Sequence, residues 1–210
     1  MPPKFTQPAL ILADGDLPEK KLVHVLSKRA PLTVCTDGAY RKALRLGLKP
    51  GWIVGDMDSL PSQVKISAST RVVYDPDPNC SDLEKALKFL IKFGCGQATL
   101  VGTMGDRMDH SFAAFTLMEK YADRIKLRLV HRGWSTQMLS QSATLRLPRG
   151  TPLALFAHPK ARVSTSGLEY PLKKEWLTAG SRGISNRTTA TTVKITLHQG
   201  RILLMWGRVI

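Results

Sequence analysis

Two aspartates separated by one residue, Asp56 and Asp58, stand in the run Gly55-Asp56-Met57-Asp58-Ser59. In extended backbone the side chains of such a pair leave the same face of the chain. Carboxylates held close together repel, and they take up protons unless a cation sits between them. Nine of the sixteen acidic residues fall between Asp37 and Asp109, in a chain whose formal net charge is +15. This pattern suits a hard divalent cation such as Mg2+, whose remaining positions are left to water and phosphate oxygens. Asp82 can complete a set with Asp56 and Asp58. For Asp58 alone the alternative is a turn with Ser59 that caps a helix near Pro61.

A second group lies in Gly102-Thr103-Met104-Gly105-Asp106-Arg107-Met108-Asp109-His110. Its glycines permit close backbone approach to a ligand, and Arg107 offers a planar fork to phosphate. The competing reading pairs Arg107 with Asp106 or Asp109 and lets Asp109 cap the next helix. The loop matches neither a Walker P-loop nor a dinucleotide fingerprint.

The elements that must position these residues follow from hydrophobic pattern. Short apolar runs at 9–13, 32–36, 52–54, 71–74, 98–101 and 125–130 alternate with helical patterns at 19–28, 40–46, 82–93 and 110–121. Alternation of that kind predicts a layered α/β sheet. The clearest helix opens on the capping box Ser81-Asp82-Leu83-Glu84 and carries Leu83, Ala86, Leu87 and Leu90 on one face. It stops at Gly94. Ligands of such sheets bind at the carboxyl ends of the strands. Asp37, Asp56, Asp58, Asp75, Asp77 and the 102–110 loop all follow predicted strands.

After residue 132 the pattern becomes short strands, at 144–147, 153–157, 161–164, 193–198 and 202–206, with Gln199-Gly200 as a predicted hairpin turn. The fold class expected is α/β, an N-terminal layered α/β sheet domain at 1–132 followed by a smaller, all-β, sandwich-like domain at 133–210.

Composition sets the outer bounds. The 210 residues suffice for one full core or two small ones. Cys35, Cys80 and Cys95 are odd in number and lack a C-x-x-C pair, which argues against a disulfide framework or structural zinc and fits a reducing, cytoplasmic setting. The first apolar run is too short for a membrane span or a signal segment. Residues 1–123 carry 16 basic against 14 acidic residues, or +2, whereas residues 124–210 carry 15 against 2, or +13. A basic half favours anionic partners such as nucleotides, nucleic acid or phosphorylated metabolites.

Taken together, the motifs resemble those of the thiamine pyrophosphokinase family. The resemblance spans almost the whole chain. It rests on Asp37-Gly38-Ala39, Gly55-Asp56-Met57-Asp58-Ser59, Asp77 with Ser81-Asp82-Leu83-Glu84-Lys85-Ala86-Leu87, and Gly105-Asp106-Arg107-Met108-Asp109-His110. It extends to Gly167-Leu168-Glu169-Tyr170-Pro171-Leu172 and Gly183-Ile184-Ser185-Asn186. It implies a homodimeric enzyme that uses Mg2+ to move the terminal pyrophosphoryl unit of ATP onto the hydroxyl of thiamine, releasing AMP. Asp56, Asp58 and Asp82 would then hold metal and polyphosphate. Asp37, Ser59, Arg107, Asp109 and His110 would line the nucleotide side. Ser185 and Asn186 would sit near thiamine in a pocket completed across the dimer interface, to which the β domain contributes. The chain departs from the family pattern at Asp106, where a glycine is usual. It also lacks the usual asparagines, in the segment holding Tyr40 and Arg41 and again near Ser111–Ala114.

Two other functions compete with this one. The same chemistry could serve a different alcohol, for example a hydroxymethylpterin. Alternatively, the basic second half could bind nucleic acid; against that reading, an acidic patch repels a phosphate backbone and no nucleic-acid recognition motif is present.

Overall fold

The computed structural model describes residues 4–60 and 62–208. The chain divides into two compact units, Met1–Arg132 and Gly133–Ile210.

The first unit is built on six parallel strands: β1 (Ala9–Leu12), β2 (Leu32–Thr36), β3 (Trp52–Gly55), β4 (Arg71–Tyr74), β5 (Gln97–Val101) and β6 (Lys126–His131). Their spatial order is β6-β5-β1-β2-β3-β4. The chain steps outward from β1 to β4, then returns to the other side of β1 to lay down β5 and β6. All four residues of β1 are fully buried. That burial matches a central parallel strand covered on both faces, and it explains the unbroken apolar run Ala9-Leu10-Ile11-Leu12.

Four helices connect these strands: α1 (Lys20–Arg29), α2 (Tyr40–Arg45), α3 (Asp82–Lys92) and α4 (Met108–Lys120). On α3 the predicted apolar face is buried in full, through Leu83, Ala86, Leu87 and Leu90. Truncating Leu87 to Ala there should cost about 2–5 kcal/mol. Only half of the predicted capping box forms. The Ser81 side chain accepts from the Glu84 amide at 3.4 Å, but the Glu84 carboxylate turns into the protein. There it accepts from Lys120 Nζ at 2.6 Å and from the Tyr121 hydroxyl at 2.7 Å. A buried carboxylate draws more from two side-chain donors than from one backbone amide at a solvated helix end. Trp52 packs with Phe5 and Phe89, and those two phenylalanines also pack with Phe93.

The second unit is all β: β7 (Trp134–Leu139), β8 (Ala143–Arg146), β9 (Pro152–Ser166), β10 (Glu175–Thr178), β11 (Asn186–Arg187) and β12 (Thr192–Trp206). Strands β9 and β12 each run for 15 residues and pair antiparallel along their length. The expected hairpin at Gln199-Gly200 is therefore absent: both halves of β12 lie beside the same strand. Register shifts between Leu197 and Gln199, and between Gly200 and Ile202, bend the ribbon without ending it. At one end β11 joins β9 and β7 joins β12; at the other, β10 joins β9 and β8 joins β12. Leu153, Leu155, Val163, Val193, Ile195, Ile202 and Leu204, drawn from both ends, share one core cluster.

Cys35, Cys80 and Cys95 are free thiols. Among the described residues, no helix is long and apolar enough to cross a membrane.

Candidate active site

Because β1 to β5 are parallel, all of their carboxyl ends open on one edge of the sheet. The strand order reverses beside β1, and a gap at such a switch point is where ligands of open α/β sheets bind. A cleft of about 660 Å³ lies there. Its walls are the loop after β1 (Ala13–Asp16), Thr36–Gly38 after β2, the start of α3 and the 102–110 loop after β5. The loops after β1 and β5 are stitched together: Ala13 N–H donates to Val101 C=O at 2.9 Å and Gly15 N–H to Gly102 C=O at 2.7 Å. A side chain on Gly15 would overlap the Met104 carbonyl.

Three carboxylates meet at this edge. Asp37, Asp56 and Asp58 each place an oxygen within 4.8 Å of the other two. Sequence reading expected Asp56 and Asp58 to converge through extended backbone. Instead Met57 adopts a left-handed φ of 67°, and the Asp58 amide turns back to Asp56 Oδ1 at 3.3 Å. A tight turn thus brings the two oxygens together. The cap reading of Asp58 fits less well, since its Oδ1 accepts from the Ser59 hydroxyl at 2.9 Å and residues 62–70 contain no helix. Pro61, near which that helix was expected, lies outside the described residues.

Asp37 is only 1% exposed, and its Oδ2 is buried without a hydrogen-bond partner. Its Oδ1 accepts from the Gly38 amide at 2.7 Å. Burial pushes its pKa up, and the charges of Asp82 and Asp56 add to that rise; the amides of Gly38 and Ser59 oppose it. An orphaned buried carboxylate oxygen beside two more carboxylates is an all-oxygen donor set, and it fits a hard divalent cation.

Asp82 enters by another route. Lys85, one turn along α3, has a side chain 1% exposed. Its Nζ lies 2.8 Å from Asp56 Oδ2 and 2.9 Å from Asp82 Oδ1. Burial alone would lower the pKa of that ammonium, but the two carboxylates outweigh burial and raise it. The Lys85 hydrogen bond correspondingly holds Asp56 below the usual carboxylate range. The group of mutually close oxygens therefore contains Asp37, while Asp82 reaches Asp56 through an ammonium and lines the cleft.

Ser59, Arg107, Asp109 and His110 also line the cleft. Arg107 makes a fork with Asp109, Nε to Oδ1 at 2.9 Å and Nη2 to Oδ2 at 2.6 Å. This is one of the two pairings the sequence left open. The pair is exposed, and the Arg107 hydrogen bond holds Asp109 well below the usual carboxylate range. Asp109 sits in the first turn of α4 rather than at its cap, which is Arg107. Sequence reasoning missed Lys42, which also faces the cleft and pairs with Asp14 at 2.9 Å. It missed Lys85 as well, which reads in sequence as one more charge on an amphipathic helix.

Ser185 and Asn186 lie in the second unit. Ser185 is exposed with a φ of 58°. Asn186 is buried and its amide is engaged locally: Oδ1 accepts from the Tyr170 and Arg187 amides at 3.1 and 2.9 Å, and Nδ2 donates to Tyr170 C=O at 2.8 Å.

A parallel α/β sheet with an acid-lined cleft at its switch point defines a doubly wound α/β fold. The profile of the thiamin pyrophosphokinase catalytic domain matches residues 23–129, and that of the thiamin pyrophosphokinase vitamin B1 binding domain matches residues 146–202. The chain belongs to the thiamin pyrophosphokinase family. It is 24% identical to Thiamine pyrophosphokinase 1 of Oryza sativa subsp. japonica over 221 residues, covering 90% of this chain and 83% of that protein. The fold is that of thiamine pyrophosphokinase from Bacillus subtilis, with a TM-score of 0.87 at 21% identity over 97% of this chain and 100% of the other. The Candida albicans enzyme aligns with a TM-score of 0.85 at 12% identity, covering 96% and 89%.

Proposed function

We propose that the protein transfers a pyrophosphoryl group from ATP to the hydroxyl of thiamine, giving thiamine diphosphate and AMP. Membership of the family supports the reaction, and the name of its second domain supports thiamine as acceptor. The observation that carries the site assignment is the buried, unpartnered Asp37 Oδ2, on a residue that lines the cleft, in close company with Asp56 and Asp58. Those three carboxylates would hold Mg2+. When bound, such an ion neutralises charge on the polyphosphate and stabilises its developing negative oxygens.

The chain's own residues do the rest. Thr36–Gly38, Ser59 and the 102–110 loop enclose the nucleotide, with Arg107, Asp109 and His110 at one wall. Arg107 exchanges its carboxylate partner for two phosphate oxygens, which a guanidinium also binds as a fork. In the transfer, the thiamine hydroxyl oxygen forms a bond to the β-phosphorus while the bond from that phosphorus to the α-bridging oxygen breaks, and AMP departs. Asp82 has Oδ1 committed to Lys85 and retains Oδ2 to orient the hydroxyl and accept its proton. Catalysis of this kind rests on positioning and charge compensation more than on covalent participation.

Ser185 and Asn186 are proposed to face thiamine, with Asn186 also fixing the backbone of Tyr170. The second unit is read as a β-sandwich, because both ends of the β9–β12 ribbon bury apolar residues in one core. It would contribute to the thiamine pocket and to a homodimer interface, and the protein would work in the cytoplasm. Incubating purified protein with ATP, Mg2+ and either thiamine or hydroxymethylpterin, and resolving the products by chromatography, tests the assignment. Thiamine diphosphate and AMP are expected with thiamine alone; AMP formed only with the pterin would reject it.

A further inference from the structure

Lys85 is a cation bonded directly to a carboxylate that is proposed to hold a metal. Its ammonium shares Asp56 with the carboxylate trio: Oδ2 of Asp56 is 2.8 Å from Lys85 Nζ, while an oxygen of Asp56 also lies within 4.8 Å of oxygens on Asp37 and Asp58. The same Nζ binds Asp82 Oδ1 at 2.9 Å. Its side chain is 1% exposed, so the ammonium is almost wholly withdrawn from bulk water. The long side chain is held along α3 between two acids that are themselves partly exposed.

Three carboxylates gathered this closely, with Asp82 on the far side of the ammonium, would repel one another in the absence of a cation. Resting on the metal reading given above, we infer that Lys85 is a resident counter-charge that offsets repulsion among the acids without metal and, by the same charge, competes with the divalent cation for Asp56. The site is thereby kept weak for free metal. Tight occupancy then requires the extra ligands of a polyphosphate, so metal and nucleotide enter together. Lys85 acts through Asp56 and Asp82 and is a positioning residue.

The opposing charge gives the test a definite sign. Removing a positive charge a few ångströms from a bound divalent cation strengthens its binding, whereas removing an ordinary structural ion pair disorders the carboxylates and weakens it. Mn2+ is titrated into metal-free, full-length protein without nucleotide, with free Mn2+ followed by electron paramagnetic resonance. Five proteins are compared: wild type, Lys85→Met, Lys85→Gln, Lys85→Arg and Asp56→Asn. Lys85→Gln retains hydrogen-bond donors for both carboxylates and serves if Lys85→Met fails to fold. Lys85→Met and Lys85→Gln are expected to bind Mn2+ about fivefold or more tightly than wild type, with Lys85→Arg close to wild type. Unchanged or weaker binding in both neutral variants, with their circular dichroism intact, would overturn the inference and leave Lys85 as a core ion pair. Equal Mn2+ binding by wild type and Asp56→Asn would instead overturn the metal reading beneath it.

Discussion

Gly55 and Asp37 are in direct contact: a Cβ built on Gly55 would stand 2.9 Å from Asp37 Cγ and 3.1 Å from its Oδ2. The glycine that opens the Gly-Asp-x-Asp motif is thus the floor on which a carboxylate from the neighbouring strand rests. Gly55→Ala should push the Asp37 carboxylate out of register with Asp56 and Asp58. Turnover should fall on the order of 100-fold, as for other ångström-scale displacements at a reacting centre. A steady-state assay of AMP release beside a thermal melt checks this. The reading fails if the variant turns over normally.

Removing single carboxylates should affect catalysis more than folding. Asp37→Asn, Asp56→Asn and Asp58→Asn are each expected to lower turnover by about 100-fold or more, the scale seen when one charge-stabilising group is deleted from an active site. Asp37→Asn should also melt at or above the wild-type temperature, because it neutralises a buried, unpartnered oxygen. Addition of a chelator such as EDTA should abolish activity, and excess Mg2+ should restore it.

Glu84 ties α3 to α4 through Lys120 and Tyr121. Burial pushes its pKa up, but the two hydrogen bonds and the Lys120 charge outweigh burial and leave it below the ordinary glutamate value. The unfolded chain therefore binds this proton more readily than the folded one. The stabilisation is complete above the unfolded pKa of about 4.3 and is lost as pH falls through the lower, folded value. Glu84→Ala should cost about 1–3 kcal/mol at neutral pH. Its deficit relative to wild type should shrink in acid, and urea denaturation at pH 7 and below pH 4 measures both.

Arg107 and Asp109 are exposed partners at the cleft wall, so their pairing contributes little to stability. Arg107→Met should leave the melting temperature unchanged while raising the KM for ATP about tenfold or more, since a bidentate phosphate contact is lost. Arg107→Lys should recover only part of that loss, because an ammonium cannot reproduce the fork. Equal KM values for wild type and Arg107→Met would show that Arg107 faces Asp109 alone.

The α/β half was readable in sequence because its inner parallel strands are short, mostly apolar runs bounded by turn residues. Ala9-Leu10-Ile11-Leu12 and Leu32–Thr36 are examples. The joining of Asp37 to Asp56 and Asp58 was not readable, since it depends on β2 lying beside β3, a long-range pairing that local pattern does not encode. Lys85 carries no local mark of its burial. In the β half, Gly200 looks like a strand breaker, yet β12 runs through it because β9 lies alongside to pair with it. Glu175–Thr178 and Asn186–Arg187 are too short to stand out by alternation.

The carboxylate cluster beside the cleft is proposed to serve pyrophosphoryl transfer from ATP to thiamine. Following the fate of β-32P-labelled ATP, with thiamine and Mg2+ present, measures it most directly. The label is expected in thiamine diphosphate, in equal amount to the AMP released, and Asp56→Asn is expected to abolish both. Label recovered only in ADP or inorganic phosphate, from folded protein and with thiamine unconsumed, would contradict it.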